Sequence, residues 1–298
     1  MNTKSAFIAI VGKPNVGKSS LLNTLLGEKI AIVSSKPQTT RTRITGVLTE
    51  DIYQWVFLDT PGIHKPKTKL SGHMNKVVTD SVADVDLVLF VVEPMGKLTP
   101  EENSLIEQFK ARRLPVILVI NKTDLIDKEQ LLARIAEISA LYDFEAVVPV
   151  SVTENEGIST LMDELRAHTE EGPHFFPEDT LTDQPERAIA AEIIREKILR
   201  NMRDEIPHGT AVSIEKMRER EGGGILDIEA TIYCERDSHK GMIIGKGGAM
   251  LKKIGSDARA DLEAFLDVKV NLKCWVKVRD DWRNSEKAIK QVGLRYEE

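Results

Sequence analysis

The chain has 298 residues, of which 41% are hydrophobic and 30% charged, and its formal net charge is −6 at pH 7. This length predicts a substantial core and two domains, and the acidic balance argues against a protein that is basic overall, while leaving a local basic patch open. No run approaches about 18 apolar residues, so no membrane-spanning helix is expected. The first residues leave no room for a signal peptide, and Cys234 and Cys274 lack metal-binding spacing, which together predict a reducing cytoplasm.

A glycine-bearing octapeptide, residues 12–19, follows an apolar, strand-like run at 7–11 and precedes a helical pattern that stops at Gly27. Glycines in such a loop let backbone N–H groups close around phosphates, and the helix N-terminus adds a positive dipole. Lys18 can then reach the β- and γ-phosphates while the Ser19 hydroxyl binds Mg²⁺. A simple glycine turn between strand and helix is the alternative. The predicted phosphate-binding residues are Gly12, Lys13, Pro14, Asn15, Val16, Gly17, Lys18, Ser19 and Ser20.

The first half of the chain alternates short apolar runs with amphipathic helical stretches, which predicts an α/β domain with a mostly parallel sheet flanked by helices. A break rich in proline and polar residues follows, and we place a first domain at 1–173, a linker at 174–185 and a second domain at 186–298. A long surface loop is the alternative for the break. The predicted strands cover 7–11, 44–49, 54–58, 87–92, 116–120 and 146–150, and helices are expected at 101–112, 128–141 and 158–168.

Three later segments narrow the nucleotide to GTP or GDP. Asp59 and Gly62, after the third strand, can hold Mg²⁺ and contact the γ-phosphate through a backbone N–H. Asp124, after the fifth strand, can accept both the N1–H and the exocyclic amine of guanine, a pair that adenine lacks. A helix N-cap or turn residue is the alternative for Asp124. The predicted residues of these segments are Asp59, Thr60, Pro61, Gly62, Asn121, Lys122, Asp124, Ser151 and Val152.

These segments resemble the nucleotide-binding elements of translation-factor-type GTPases, and residues 38–42 resemble their switch I. The resemblance implies that Thr40 binds Mg²⁺ in the GTP state together with Ser19 and Asp59; Thr39 is the second choice, and an ordinary polar loop is the alternative. Lys18, Thr40 and Gly62 are the predicted catalytic residues.

One position departs from the pattern of Ras-like GTPases. Ile63 stands where those proteins carry the glutamine that orients the attacking water, and an isoleucine can neither accept a proton nor hold water. We therefore expect slow hydrolysis that depends on another group, an activating partner or a monovalent cation. Asn15 matches the loop asparagine of potassium-stimulated relatives, which makes K⁺ a candidate.

The second half predicts a helix at 186–205, strands near 210–218 and 225–234, helices at 249–254 and 257–266, and a last strand at 268–279. Gly245 and Gly248 form a GxxG loop, where a nucleic-acid backbone can approach closely and Lys246 favours phosphate. A mere turn is the alternative. In the last strand, basic residues and Trp275 alternate with apolar ones, which fits RNA binding or a solvated basic face. The predicted RNA-binding residues are Ile244, Gly245, Lys246, Gly247, Gly248, Lys252, Lys273 and Lys277.

The order of these elements around a GxxG loop resembles an α+β type II KH domain, and the whole chain resembles the Era family of bacterial GTPases. Segments 37–41, 175–179, 192–197 and 272–278 carry that resemblance. It implies a factor that binds single-stranded 16S rRNA near its 3′ end, acts in 30S ribosomal subunit assembly, and associates peripherally with the inner membrane. The sequence leaves the oligomeric state open, and because nothing in it demands a dimer we expect a monomer. A GTPase of tRNA modification, whose C-terminal cysteine motif this chain lacks, and a membrane-associated signalling GTPase are the alternatives.

Overall fold

The computed structural model describes residues 2–36, 38–203, 206–292 and 294. The chain divides into two compact units. The first contains the described residues of Met1–Ala31, Thr40–Lys67 and Ser71–Asp183. The second contains those of Ile32–Thr39, Thr68–Leu70 and Gln184–Glu298. No helix in the described ranges has the length and apolar character that crossing a membrane requires.

The first unit is built on a sheet of six strands in the order β2-β3-β1-β4-β5-β6. The β2–β3 pair is antiparallel and the other neighbours are parallel. The mostly parallel sheet expected from the sequence is therefore confirmed, with small shifts at the strand ends. The strands are β1 (Lys4–Val11), β2 (Ile44–Glu50), β3 (Tyr53–Asp59), β4 (Leu87–Val92), β5 (Val116–Ile120) and β6 (Ala146–Pro149).

Helices cover both faces of this sheet. Every residue of β4 is buried, and alternate residues face opposite sides: Leu89 joins the core beneath α1 and α5, while Phe90 joins the core beneath α2, α3 and α4. A central strand buried on both faces reads as a continuous apolar run because it has no solvent-facing side. The helices are α1 (Lys18–Leu26), α2 (Lys69–Ser81), α3 (Pro100–Arg112), α4 (Lys128–Ser139) and α5 (Ile158–Ala167).

Residues 174–183, which the sequence assigned to a linker, pack with the first unit. The buried Gln54 side chain accepts hydrogen bonds from the Phe175 and Phe176 N–H groups at 2.7 and 3.0 Å. Further along, the Val47 N–H donates to the Leu181 carbonyl at 2.8 Å. This part of the chain therefore runs along the edge of the sheet, and the division between the units falls after Asp183.

The second unit packs helices against a three-stranded sheet in the order β7-β8-β9. The β7–β8 pair is antiparallel and the β8–β9 pair parallel. The elements are α6 (Glu186–Asn201), β7 (Ala211–Glu219), β8 (Ile225–Cys234), α7 (Asp237–Ile244), α8 (Ala249–Leu266), β9 (Lys269–Val278) and α9 (Glu286–Gln291).

The prediction of two helices between residues 249 and 266 is wrong, because α8 is continuous. Ile254, Ala258 and Leu262 are fully buried at intervals of four residues, so one apolar stripe runs through the supposed break. Burial of that stripe outweighs the low helix propensity of Gly255. Residues 204 and 205, at the end of the predicted long helix, lie outside the described residues.

Candidate nucleotide and RNA sites

The loop between β1 and α1 has the closed shape expected of a phosphate-binding loop. Gly12 and Gly17 have φ angles of 150° and 102°. A Cβ atom at either position would come within 2.2 Å of another group, the Val91 carbonyl oxygen or Asn121 Nδ2 respectively. Only glycine therefore fits at both ends of the loop.

Lys18 lies inside this loop and is 6% exposed. Its ammonium group donates to the Gly12 and Lys13 carbonyls at 3.1 and 2.9 Å. Burial lowers the pKa of Lys18 to about 8, although the Asp59 carboxylate opposes the shift. A buried cation whose hydrogen bonds within the described part of the chain go to carbonyl oxygens is suited to bind an anion that enters the loop.

Three oxygen-bearing side chains meet at the start of α1. Ser19 Oγ lies 2.9 Å from Thr40 Oγ1 and donates to Asp59 Oδ2 at 2.6 Å. Asp59 is fully buried, and among the described residues its Oδ1 atom has no hydrogen-bond partner. Two hydroxyls and a carboxylate with a spare oxygen are a donor set suited to Mg²⁺. Thr39 donates instead to the Lys36 carbonyl, at 2.6 Å, so Thr40 is the threonine that reaches this cluster.

The Asp59 carboxyl is expected to make the nucleotide-free protein less stable at neutral pH. Burial raises its pKa to about 6, against the effect of the Lys18 ammonium. Because the folded-state pKa lies above the ordinary value of 3.8, this group's stabilising contribution is complete below about pH 4 and is lost as the pH rises through about 6.

We therefore expect Asp59→Asn to raise the melting temperature of nucleotide-free protein by about 5 °C at pH 7.5 in EDTA. The gain should shrink as the pH falls towards 5, where the native carboxyl is protonated, and Mg²⁺-dependent binding should be lost. Asp84→Asn, on an exposed residue, is the control and should leave the melting temperature unchanged. A lower melting temperature for Asp59→Asn would show that the carboxylate stabilises the empty fold.

The segment after Asp59 lies over the phosphate-binding loop. The Ile63 N–H donates to the Gly12 carbonyl at 3.2 Å, and a Cβ atom at Gly62 would lie 2.6 Å from Pro14 Cα. The Ile63 side chain is buried in the core on one face of the sheet. From α2, Asn75 Nδ2 donates to the His64 carbonyl at 2.7 Å, a contact that the sequence did not suggest. Ile63 thus anchors this segment through packing.

The candidate base-binding residues meet at the ends of β5 and β6. Asn121 Nδ2 donates to the Val16 carbonyl at 2.7 Å, which ties this region to the phosphate-binding loop. Asp124 is exposed, and its Oδ1 accepts from Ser151 Oγ at 2.6 Å. The N-cap of α4 is Asp127, whose carboxylate accepts from the Gln130 N–H at 2.8 Å. Asp124 is therefore not the cap of α4, and its carboxylate stays available at the surface.

Glu93 is a residue of this region that sequence reasoning missed. It follows β4 directly, and its carboxylate pairs with both Lys13 and Lys122. An acid at the carboxyl end of a central strand, between two lysine-bearing motifs, was the signal available in the sequence.

In the second unit, the GxxG loop joins α7 to α8. Gly245 has a φ angle of 73°, and a Cβ atom there would lie 2.8 Å from Met250 Cβ. Lys246 and Gly247 are exposed at the tip of the loop. Helix α8 begins immediately afterwards, so its N-terminal N–H groups point towards the same side as the loop. These features suit a backbone phosphate.

A groove of about 490 Å³ continues from this loop between α8 and the edge strand β9. The predicted Gly248 and Lys252 line it. The predicted Lys273 and Lys277 do not; they are exposed, with Trp275, on the face of β9 opposite the buried Val270 and Val276. The lining residues absent from the prediction are Leu251, Gly255, Ser256, Arg259, Asn271, Leu272 and Cys274.

Comparisons with known proteins identify a family for each of the two units. A family model described as a 50S ribosome-binding GTPase matches residues 7–122, and a KH domain model matches residues 205–283. The chain is 52% identical to GTPase Era of Ruminiclostridium cellulolyticum, over 99% of each chain. It is 50% identical to GTPase Era of Clostridioides difficile, over 97% of this chain and 98% of that one. The chain belongs to the Era family.

Solved structures of Era proteins share the fold. A variant of Aquifex aeolicus Era bound to GDP and AlF4⁻ is 38% identical with a TM-score of 0.95, over 99% of this chain and 100% of that one. An Era in complex with MgGDPNP and nucleotides 1506–1542 of 16S ribosomal RNA matches with the same values. The α/β GTPase fold followed by a KH domain is thus confirmed. The protein is a P-loop GTPase that hydrolyses GTP, and the alternative of a tRNA-modifying GTPase is set aside.

Proposed function

We propose that this protein is a GTP-controlled RNA-binding switch that holds 16S rRNA near its 3′ end and acts in 30S subunit assembly. The observation that carries the proposal is the basic GxxG loop opening onto a groove beside β9, in a chain of the Era family. The Era structure with nucleotides 1506–1542 of 16S rRNA supports the identity of the RNA.

The nucleotide is assigned to the loop and the strand ends of the first unit. Lys18 exchanges its carbonyl partners for the β- and γ-phosphates, and the other residues of 12–20 surround the phosphates with N–H groups. Ser19, Thr40 and Asp59 would hold Mg²⁺, which would neutralise part of the phosphate charge. The Gly62 N–H meets the γ-phosphate, and residues 121–124 with 151–152 bind guanine. The spare Asp59 oxygen and the Ser19–Thr40 contact support the metal assignment.

Hydrolysis is proposed to be slow in the absence of a partner. Ile63 is buried in apolar packing and offers no hydrogen-bonding group to an attacking water. A K⁺ ion near Asn15 is a candidate for the help with GTP hydrolysis that Ile63 does not provide. Asn15 has a left-handed backbone conformation, with a φ angle of 65°.

RNA is assigned to the GxxG loop and the groove. The exposed Lys246 and the α8 N-terminus bind backbone phosphates, as KH domains clamp about four nucleotides. Ser256, Arg259 and Asn271 offer hydrogen-bonding groups along the groove, and Leu251 and Leu272 offer apolar surface for stacked bases. Burial raises the pKa of Cys274 to about 11, so its thiol stays neutral and serves as a small apolar wall.

The segment before Thr40 provides a physical link between nucleotide and RNA. Residues 32–39 belong to the second unit, where the Val33 N–H donates to Glu196 on α6 at 3.0 Å. Arg195, 1% exposed, donates to the Thr39 carbonyl and pairs with Glu192 at 2.8 Å. Thr40 is the next residue, so binding of Mg²⁺ and GTP acts directly on a segment held by α6.

We expect Arg195→Met to weaken this coupling. The ratio of RNA affinity with a GTP analogue to that with GDP should fall towards one, because the segment loses its anchor. Fluorescence anisotropy with labelled RNA in each nucleotide state measures this ratio. Arg134→Met is the matched control, since Arg134 is also buried and pairs with a glutamate three residues away on α4. An unchanged ratio in Arg195→Met would remove this link from the proposal.

The proposed function itself is tested by binding of a single-stranded RNA with the 16S 3′-end sequence. We expect this RNA to bind more tightly than a scrambled RNA of equal length, in the presence of Mg²⁺ and a GTP analogue. Equal affinity for the 16S sequence and the scrambled RNA would contradict specific binding and indicate a GTPase that binds RNA without sequence preference. The cytoplasmic location and the monomeric state expected from the sequence, and the peripheral membrane association implied by the family, remain predictions.

A further inference from the structure

Glu93 lies between two lysines of the candidate nucleotide site. Its Oε2 atom is 2.7 Å from the Lys13 ammonium, and its Oε1 atom is 2.6 Å from the Lys122 ammonium. The three side chains are between 23% and 32% exposed. One carboxylate thus joins the phosphate-binding loop to the base-binding loop.

A second bond completes this bridge. The Lys122 ammonium also donates to the Asn15 carbonyl at 2.7 Å. Asn15 and Lys122 both have left-handed backbones, with φ angles of 65° and 67°. Non-glycine residues pay for that conformation and keep it only where neighbouring contacts fix it. The contacts of Glu93 are suited to fix both loops at once.

The bridge places one carboxylate between two ammonium groups, which leaves it with a net positive charge. Burial raises the pKa of Glu93, but hydrogen bonds from Lys122 and Lys13 outweigh that effect and hold the pKa below its usual value. The carboxylate is therefore ionised at neutral pH and fixes the direction of both ammonium groups. Charge-assisted hydrogen bonds of this kind are stronger than neutral ones.

We propose that Glu93 is a positioning residue that locks the phosphate-binding loop to the guanine-binding loop and thereby slows nucleotide release. It acts through Lys13 and Lys122 rather than by touching the nucleotide. The inference rests on the nucleotide site proposed above. Release of a nucleotide held by both loops requires them to separate, so loss of the lock raises the dissociation rate.

Release of a fluorescent GDP analogue from the full-length protein, chased with excess GDP, tests this role. We expect Glu93→Gln to release the nucleotide about tenfold faster, since the amide keeps the shape but has no charge, can accept from only one ammonium and turns an NH2 group towards the other. The release rate of Glu93→Asp should lie between those of the wild type and Glu93→Gln, because a shorter carboxylate can still reach one lysine. Lys13→Gln should change the release rate less in the Glu93→Gln variant than in the wild type, because Lys13 and Glu93 act as a pair.

Glu107→Gln is the matched control, because Glu107 pairs with Lys110 at 2.9 Å on the surface of α3. Its release rate and melting temperature should equal those of the wild type. An unchanged or slower release in Glu93→Gln, or equal acceleration in the control, would overturn the inference while the nucleotide site stands. A wild-type protein that failed to bind GDP would overturn the proposed site and this inference with it.

Discussion

Replacement of Lys246 and Gly247 together by aspartate is expected to weaken binding of single-stranded 16S 3′-end RNA about 100-fold. Both residues are exposed at the tip of the GxxG loop, where phosphate is expected to run. The substitutions replace one positive charge with two negative ones. A Cβ atom at Gly247 meets no neighbour within 4 Å, and its φ of 58° is one that aspartate tolerates, so the fold should persist.

Gly96→Asp with Lys97→Asp is the matched control for this experiment. It makes the same change of charge at a Gly-Lys pair in the first unit, where Gly96 has a φ of 81° and open space around its Cα. RNA affinity should stay within about twofold of the wild type, as measured by anisotropy at fixed salt, because neither residue belongs to the GxxG loop or lines the groove beside β9. Equal losses in both variants would indicate a general electrostatic effect, and unchanged binding in the first would contradict the assignment of RNA to the GxxG loop.

Asp124→Asn is expected to lower GTP affinity about 1000-fold and to raise affinity for XTP. The substitution keeps an oxygen that can accept from Ser151 Oγ, so the loop should keep its shape. The new amide group places a donor against the N1–H and amine of guanine, whereas the O2 of xanthine can accept from it. Competition between labelled GDP and unlabelled GTP or XTP measures the affinity for each triphosphate and therefore the change in nucleotide preference.

Asp127→Asn is the control for the nucleotide experiment. Asp127 lies three residues further along and caps α4, a role that asparagine fills equally well. Nucleotide preference should therefore remain that of the wild type. If Asp124→Asn kept its preference for GTP, the carboxylate would not be the group that reads guanine.

Local patterns predicted the parts of this molecule that depend on neighbours in the chain. The loop at 12–19 could be recognised because its glycines must stand at fixed places between a strand and a helix. The strands at Leu87–Val92 and Val116–Ile120 were predicted without error, since central strands are apolar throughout. In both cases a few consecutive residues carry all the information.

Features that depend on distant partners could not be predicted in this way. Glu93 gains its role from Lys13 and Lys122, which are remote in sequence and meet only at the strand ends. Gln54 holds residues 175 and 176 through bonds that no local pattern encodes. The groove beside β9 is likewise formed by α8 and an edge strand, so residues such as Arg259 were missed while the exposed Lys273 was favoured.

The rate of GTP hydrolysis with and without single-stranded 16S 3′-end RNA tests the central claim most directly. The claim is that one mechanism joins the nucleotide site to the KH groove. We expect slow turnover in Mg²⁺ and K⁺ alone, and acceleration by this RNA that a scrambled RNA does not produce. The acceleration should vanish when Lys246 and Gly247 are replaced by aspartate. A rate that stays the same at RNA concentrations sufficient for binding would contradict the claim.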